Sequence, residues 1–81
     1  MKEEYVKKYG ELVKKHELLN KRYAELEKLE AELENNKTIS DEKRLQNLNK
    51  LAEEYEKIAN LMEQITKEAK ELQEKVEADE N

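Results

Sequence analysis

Large side chains recur along this chain at intervals of alternately four and three residues, in two separate runs. That spacing is the heptad repeat, which places the positions named a and d along one stripe of an α-helix. The d positions hold Tyr5, Leu12, Leu19, Leu26 and Leu33, and then Leu51, Ile58, Ile65 and Leu72. The a positions hold Lys2, Tyr9, His16, Tyr23 and Glu30, and then Leu48, Tyr55, Met62, Ala69 and Val76. The pattern predicts an all-α coiled coil of two amphipathic helices.

A short turn is predicted between the two runs, in the segment NNKTISDE at residues 35–42. Asn35 and Asn36 suit the left-handed conformation that ends many helices. Thr38 with Asp41 fits a capping box at the start of the next helix, and Ser40 is a competing cap. Because helices joined by a short connection pack as antiparallel neighbours, the segment predicts a hairpin.

The expected organisation is one domain, a single helical hairpin over residues 1–81. The bounds that we predict are a first helix over about 3–34, a turn over about 35–39, a second helix over about 40–77 and a frayed tail over 78–81.

Composition favours an extended hairpin over a compact globule. Charged residues make up 46% of the chain, apolar residues only 36%, and Phe and Trp are absent, so a single rounded core would be short of apolar area. The net charge of −5 works against nonspecific binding to nucleic acid or to an anionic membrane. The sequence has no Cys, which excludes disulfides but does not indicate a compartment. No apolar run is long enough to span a bilayer and the start, MKEEYVKK, is too polar for a signal peptide, so we expect a soluble, cytoplasmic protein.

One register aligns the predicted core when the numbers of paired residues sum to 74. In that register His16 faces Ile58, with Tyr55 close enough to be its hydrogen-bond partner, and Glu30 meets Arg44 near the turn. Polar groups at core positions fix register and oligomeric state at some cost in stability. We therefore predict that His16, Tyr55, Glu30 and Arg44 set the register. A pH switch through His16 is the alternative for that residue.

The two edges of the predicted seam differ in character. Along the g positions, Lys8 faces Glu68 and Arg22 faces Glu54, so this edge is largely charge-matched. The e positions form a small and mostly apolar edge, which consists of Val6, Val13, Asn20, Leu45, Ala52, Ala59 and Thr66. We expect this edge to be an interface, through which a second copy completes a homodimeric four-helix bundle or a different helical protein binds. The alternative is a solitary hairpin with a few exposed apolar residues.

No set of residues in the sequence predicts catalysis or metal binding. The chain has one Ser, one His, two Thr and no Cys, and its acidic residues lie mainly on outward positions. Transition-metal sites in helical bundles need several inward Glu and His residues, whereas Val13 precedes His16 at the critical spacing. We therefore expect a protein that is not an enzyme, with no catalytic residues, no cofactor and no metal.

The outward positions resemble those of designed, idealised antiparallel helical hairpins. Glu occupies four of the first five c positions, strong helix formers dominate, and Lys occupies four successive f positions, Lys7, Lys14, Lys21 and Lys28. This resemblance covers the whole chain and implies a structural module, a bundle subunit, a scaffold or a binder.

Two weaker resemblances keep other functions open. In length and topology the hairpin is similar to the small Rop-like hairpins, which implies RNA binding. The segment LQNLNKL, residues 45–51, is similar to the SQELD signature of the small aspartyl-phosphate phosphatases at Gln46 and Leu48. It departs from that signature at Leu45 and Asn49, where the acidic residue is lost. The alternatives to an interaction module are therefore a small regulator that binds RNA and one that binds a partner regulator protein.

Overall fold

The computed structural model describes residues 3–80, which form two long α-helices. Helix α1 spans Glu3–Asn35 and helix α2 spans Asp41–Glu80, and no strand occurs in the described part of the chain. The prediction of an all-α fold is confirmed. The pair measures 62 × 15 × 12 Å, so the molecule is a single layer of two helices rather than a rounded domain.

Contacts at both ends of the pair show that α2 folds back along α1. The Tyr5 hydroxyl, in the first turn of α1, donates to Asp79 Oδ2 near the end of α2. Near the turn, Arg44 Nη2 of α2 donates to the main-chain oxygen of Asn36, the residue that follows α1. The chain is therefore a helical hairpin.

Side chains close the turn between the helices, at residues 36–40. Asn36 Oδ1 accepts hydrogen bonds from the Thr38 main-chain nitrogen at 3.0 Å and from the Thr38 hydroxyl at 2.6 Å. The left-handed conformation expected at Asn35 or Asn36 is wrong, because no residue in the described part of the chain has a positive φ. An Asn side chain that accepts from the backbone two residues later makes the turn without that conformation.

Ser40 caps α2, as its side-chain oxygen accepts a hydrogen bond of 3.2 Å from the Lys43 main-chain nitrogen. Thr38, the other candidate cap, is instead bound to Asn36. At the far end, α2 continues through residues 78–80, where a frayed tail was predicted. The bond between Tyr5 and Asp79 ties this last turn to α1 and accounts for the difference. Residue 81 of the predicted tail lies outside the described residues.

The core is centred on the d positions. The buried residues in the described part of the chain are Leu12, Leu26, Leu51, Ile58 and Leu72, and each occupies a d position. In α2 the a residues from Leu48 to Val76 are half-buried, and Leu48, Tyr55 and Met62 pack against this core, whereas Tyr9, His16 and Tyr23 of α1 are exposed. Helix α1 is therefore rotated so that its d stripe faces α2 and most of its a stripe turns outward, while α2 directs both stripes towards α1. This corrects the prediction that His16 is a core residue facing Ile58.

The predicted register is wrong by about one heptad. Tyr55 bonds Glu30, and those residue numbers sum to 85. Tyr5 with Asp79 gives 84, and the paired rings of Tyr23 and Tyr55 give 78. These sums average about 82, which is closer to 81 than to 74, and a shift of seven residues keeps every a and d position in its class. The contact predicted between Lys2 and Leu72 lies outside the described residues.

Candidate interaction surface

One side of the hairpin carries an exposed apolar surface built from the a and e positions. The rotation that buries the d stripe turns these positions of α1 outward, and the e positions of α2 lie on the same side. We call this surface the a/e face, and it consists of Val6, Tyr9, Val13, His16, Asn20 and Tyr23 from α1, and Leu45, Ala52, Ala59 and Thr66 from α2. All ten residues are exposed.

The e-position residues predicted as an interface therefore lie on one surface, and all of them are accessible. The structure adds Tyr9, His16 and Tyr23 to that edge, which sequence reasoning had placed in the core. Val6 and Tyr9 each expose 57% of their surface. Large apolar side chains that are exposed singly are common, but a run of them along one side of a helix pair is characteristic of a contact surface.

A groove of about 620 Å³ opens on the a/e face in the half of the hairpin away from the turn. Its walls include Tyr9, Val13 and His16 of α1, with Thr66 and Ala69 of α2. The wall from α1 is bulky, whereas the wall from α2 is low at Thr66 and Ala69, between the larger Ile65, Lys70 and Gln73. A side chain from a partner could therefore enter this groove above α2.

His16 and Asn20 form a polar pair within this face. Asn20 Nδ2 lies 3.2 Å from His16 Nδ1, so the amide donates to the neutral imidazole in the tautomer that carries its proton on Nε2. The predicted hydrogen bond between His16 and Tyr55 does not form, since the Tyr55 hydroxyl is bound to Glu30. Both polar side chains are exposed, so this pair is available to a partner.

The polar group inside the helix pair is Tyr55 with Glu30. The Tyr55 hydroxyl donates to Glu30 Oε2 at 2.9 Å, and both residues are half-buried. Partial burial disfavours the phenolate, and the hydrogen bond to Glu30 adds to that effect, so together they raise the pKa of Tyr55 to about 12. The rings of Tyr23 and Tyr55 meet edge to face with their centroids 5.2 Å apart, which links the a/e face to this polar pair.

Arg44, predicted to pair with Glu30, has other partners. Its guanidinium donates to the Asn36 main-chain oxygen and lies 4.0 Å from Asp41 Oδ1 in the first turn of α2. The predicted ion pair is wrong because Glu30 accepts from Tyr55, which lies 11 residues beyond Arg44 in α2. Arg44 therefore holds the turn against α2.

The opposite edge also differs from the prediction. Arg22 pairs with Glu25 at 3.1 Å and Lys57 with Glu54 at 3.5 Å, each within its own helix, so the predicted pair of Arg22 and Glu54 across the edge is wrong. The shifted register brings Lys15 beside Glu68 and places Leu29 near Glu54. Leu18, Leu29 and Leu61 are exposed on this side, but charged residues separate them.

Neither a metal centre nor a membrane span is found in the part of the chain that the structure describes. Within residues 3–80 no three His, Asp or Glu side chains gather as metal ligands would. Neither described helix contains an apolar stretch that could cross a bilayer. The a/e face is therefore the surface on which a functional interpretation rests.

The chain matches no protein-family profile, no curated protein and no solved structure. The functional interpretation accordingly depends on the geometry of the a/e face.

Proposed function

We propose that this protein is a non-enzymatic interaction module that uses its a/e face to associate with other helices. The simplest assembly is a homodimer in which two hairpins cover each other's faces and form a four-helix bundle. The observation that carries the proposal is the exposure of Val6, Tyr9, Val13 and Tyr23 along one side of α1, beside the small residues of α2. In water such a surface is stabilised by burial against another apolar surface.

The surface area of the hairpin supports self-association. Its accessible surface is 6863 Å², whereas a compact monomer of 9.7 kDa exposes about 5,100 Å², so the hairpin exposes about 1,700 Å² more. Its radius of gyration is 18.5 Å, against about 12 Å for a compact domain of this length. A stable interface buries about 800 Å² per partner, so the excess is ample for one.

A second copy also matches the face in shape. The face extends along a molecule 62 Å long and is two helices wide, and a second hairpin has the same length and width. A single partner helix would cover the central groove and leave the outer side of Tyr9 and Tyr23 in water. The two-helix layer is thus better matched by another two-helix layer.

The test is the solution mass measured by light scattering over a concentration series. The parent protein should approach twice its chain mass of 9.7 kDa as the concentration rises. Val13→Glu combined with Ala59→Glu should shift the protein towards monomer, because each change buries a carboxylate in the interface. A parent that stays strictly monomeric while helical would contradict self-association.

A matched control variant distinguishes disruption of the a/e face from the effect of a more negative net charge. Gln46→Glu combined with Asn60→Glu adds the same two negative charges at exposed f positions of α2, away from the a/e face. This control should retain the mass of the parent. Equal dissociation in both double variants would mean that general repulsion, and not the a/e face, controls the assembly.

A further inference from the structure

The a/e face is divided lengthwise into a bulky half and a small half. The half from α1 carries Val6, Tyr9, Val13 and Tyr23, each at least 42% exposed. The half from α2 carries Ala52, Ala59 and Thr66, which are exposed, and Ala69, which is half-buried. At the end away from the turn α2 also presents the larger Gln73. The face is therefore high along α1 and low along α2 in its middle part.

This division ends near the turn. There α2 presents Leu45, which is 60% exposed, while α1 presents Ala31 and Glu34 at its own end. Any partner that fits must therefore present small side chains to α1 and large ones to α2 in the middle part of the face.

Two copies that meet face to face with aligned helices can be related by a two-fold axis in either of two directions. An axis perpendicular to the helices lays α1 on α1 of the other copy and α2 on α2. An axis parallel to the helices lays α1 on α2 of the other copy and keeps both turns at the same end. Both arrangements place antiparallel helices in contact, so the side chains must decide between them.

Side-chain size favours the parallel axis. With the perpendicular axis, tyrosines and valines meet the same bulky half in the other copy, while alanines face alanines. The distance between packed helices depends on the side chains between them. The two layers would therefore be held far apart where α1 meets α1, and a gap would remain where α2 meets α2. With the parallel axis, the bulky side chains of α1 in each copy lie on the small side chains of α2 in the other copy, in the middle part of the face.

We propose that the partner on the a/e face is a second copy of this chain related by a two-fold axis parallel to the helices, with α1 of each copy on α2 of the other and both turns at one end. This inference rests on the proposed function and adds the geometry of the assembly. It assigns the low half of the groove between Val13 and Thr66 to the bulky α1 side chains of the partner.

Spin labels on α1 can distinguish the two axes, since the chain has no cysteine of its own. Three single variants, Lys7→Cys, Lys14→Cys and Lys21→Cys, place a label at successive f positions, which are exposed and point away from the face. Pulsed electron paramagnetic resonance then measures the distance between the labels of the two copies. With the parallel axis each label lies at the same height as its counterpart, so the three distances should agree to within a few Å.

The perpendicular axis predicts a different series. Each label would be displaced along the bundle from its counterpart by twice its distance from the axis. An axis near the middle of α1 would separate the labels at position 7 by about 40 Å along the bundle, at 1.5 Å per residue, and leave those at position 21 almost level. No position of a perpendicular axis makes all three distances equal, so unequal distances would overturn the parallel arrangement while leaving the dimer in place.

The absence of any distance between copies at all three positions would overturn self-association itself, and with it this inference. Helicity measured by circular dichroism on each labelled variant ensures that the comparison is made on folded protein. Light scattering on the same samples separates a dimer from a higher assembly, whose several distances per label would also contradict the single parallel axis.

Discussion

The Tyr55 hydroxyl donates a hydrogen bond of 2.9 Å to Glu30 Oε2 across the two helices. Tyr55 lies at an a position of α2, and its ring also meets Tyr23 of α1 edge to face. This half-buried pair joins residues 25 positions apart in the chain, so it forms only in the observed register. It is a polar contact between the helices near the middle of the hairpin, as the bond between Tyr5 and Asp79 is at the far end.

The first prediction concerns alkaline pH. Folding raises the pKa of Tyr55 from 10 to about 12, because partial burial and the bond to Glu30 favour the neutral phenol. This contribution to stability is therefore fully present below pH 10 and is lost as the pH rises from 10 to 12. Chemical unfolding between pH 9 and 12 should show the parent losing stability more steeply than Tyr55→Phe, by the release of one proton.

Comparison with Tyr55→Phe isolates this residue, since every other group that titrates in that range is common to both proteins. Glu30→Gln is a second variant, as its amide still accepts the hydrogen bond but lacks the charge that opposes the phenolate. Glu30→Gln should therefore lower the pKa of Tyr55 towards 10 and narrow the pH range over which the contribution of Tyr55 to stability is lost. Parallel pH profiles for the parent and Tyr55→Phe would show that the two side chains are not in contact.

Much of the fold could be predicted from the heptad pattern, whereas the register could not. Leu26 and Ile58 occupy predicted core positions and are buried, because a side chain at d faces the other helix in any register that preserves the repeat. A shift of seven residues changes neither assignment. The predicted register rested on a single residue sum that paired every core layer, and a sum seven larger pairs the a and d positions equally well. The pair of Glu30 and Arg44 that accompanied it could not decide between the two, because an exposed ion pair contributes only about 0–1 kcal/mol. The hydroxyl of Tyr55 is an alternative partner that charge matching does not reveal.

The exposure of Tyr9, His16 and Tyr23 also could not be predicted from the heptad pattern. A heptad repeat treats a and d as equivalent, but two helices alone can rotate to bury one stripe and expose the other. Which of the two stripes turns outward depends on what else packs against the helix pair, and the heptad pattern does not contain that information. The small residues at Ala52 and Ala59 did indicate the open side, because the e positions of a simple two-helix seam are usually charged.

A second prediction tests the core. Leu26 is the most deeply buried residue, at 1% exposure, so Leu26→Ala should lower the free energy of unfolding by about 2–5 kcal/mol. Leu18 makes a matched control in the same helix, since it is 65% exposed and Leu18→Ala should change stability by less than about 0.5 kcal/mol. Both are measured by urea unfolding at one protein concentration, because association adds to apparent stability. Equal losses of stability in the two variants would mean that the face of α1 that packs on α2 is not the one that carries Leu26.

The cap of α2 provides a third prediction. Ser40→Ala removes the oxygen that accepts from the Lys43 main-chain nitrogen and should cost about 0.5–2 kcal/mol. Ser40→Asp should keep most of the parent stability, because Asp is an equally good cap and its charge suits a helix start. Thermal unfolding by circular dichroism would measure both. A greater loss in Thr38→Ala than in Ser40→Ala would show that Thr38 is the cap.

The last prediction concerns Gly10, which lies inside α1 with helical neighbours on both sides. A Cβ built there meets nothing within 4 Å, and glycine within a helix costs about 0.5–1 kcal/mol relative to alanine. Gly10→Ala should therefore raise the free energy of unfolding by that amount. The reciprocal change, Ala24→Gly, lies at the b position two heptads later and should lower the free energy of unfolding by a similar amount.

Urea unfolding at low protein concentration would compare the two variants with the parent in the least associated form. Opposite shifts of similar size are expected there, because both changes act on the backbone of one helix. At high concentration both b positions flank the a/e face, so a partner that approaches closely at Gly10 would reduce the gain from alanine. A loss of stability in Gly10→Ala at low concentration, with the expected loss in Ala24→Gly, would contradict the open space around Gly10 in the hairpin.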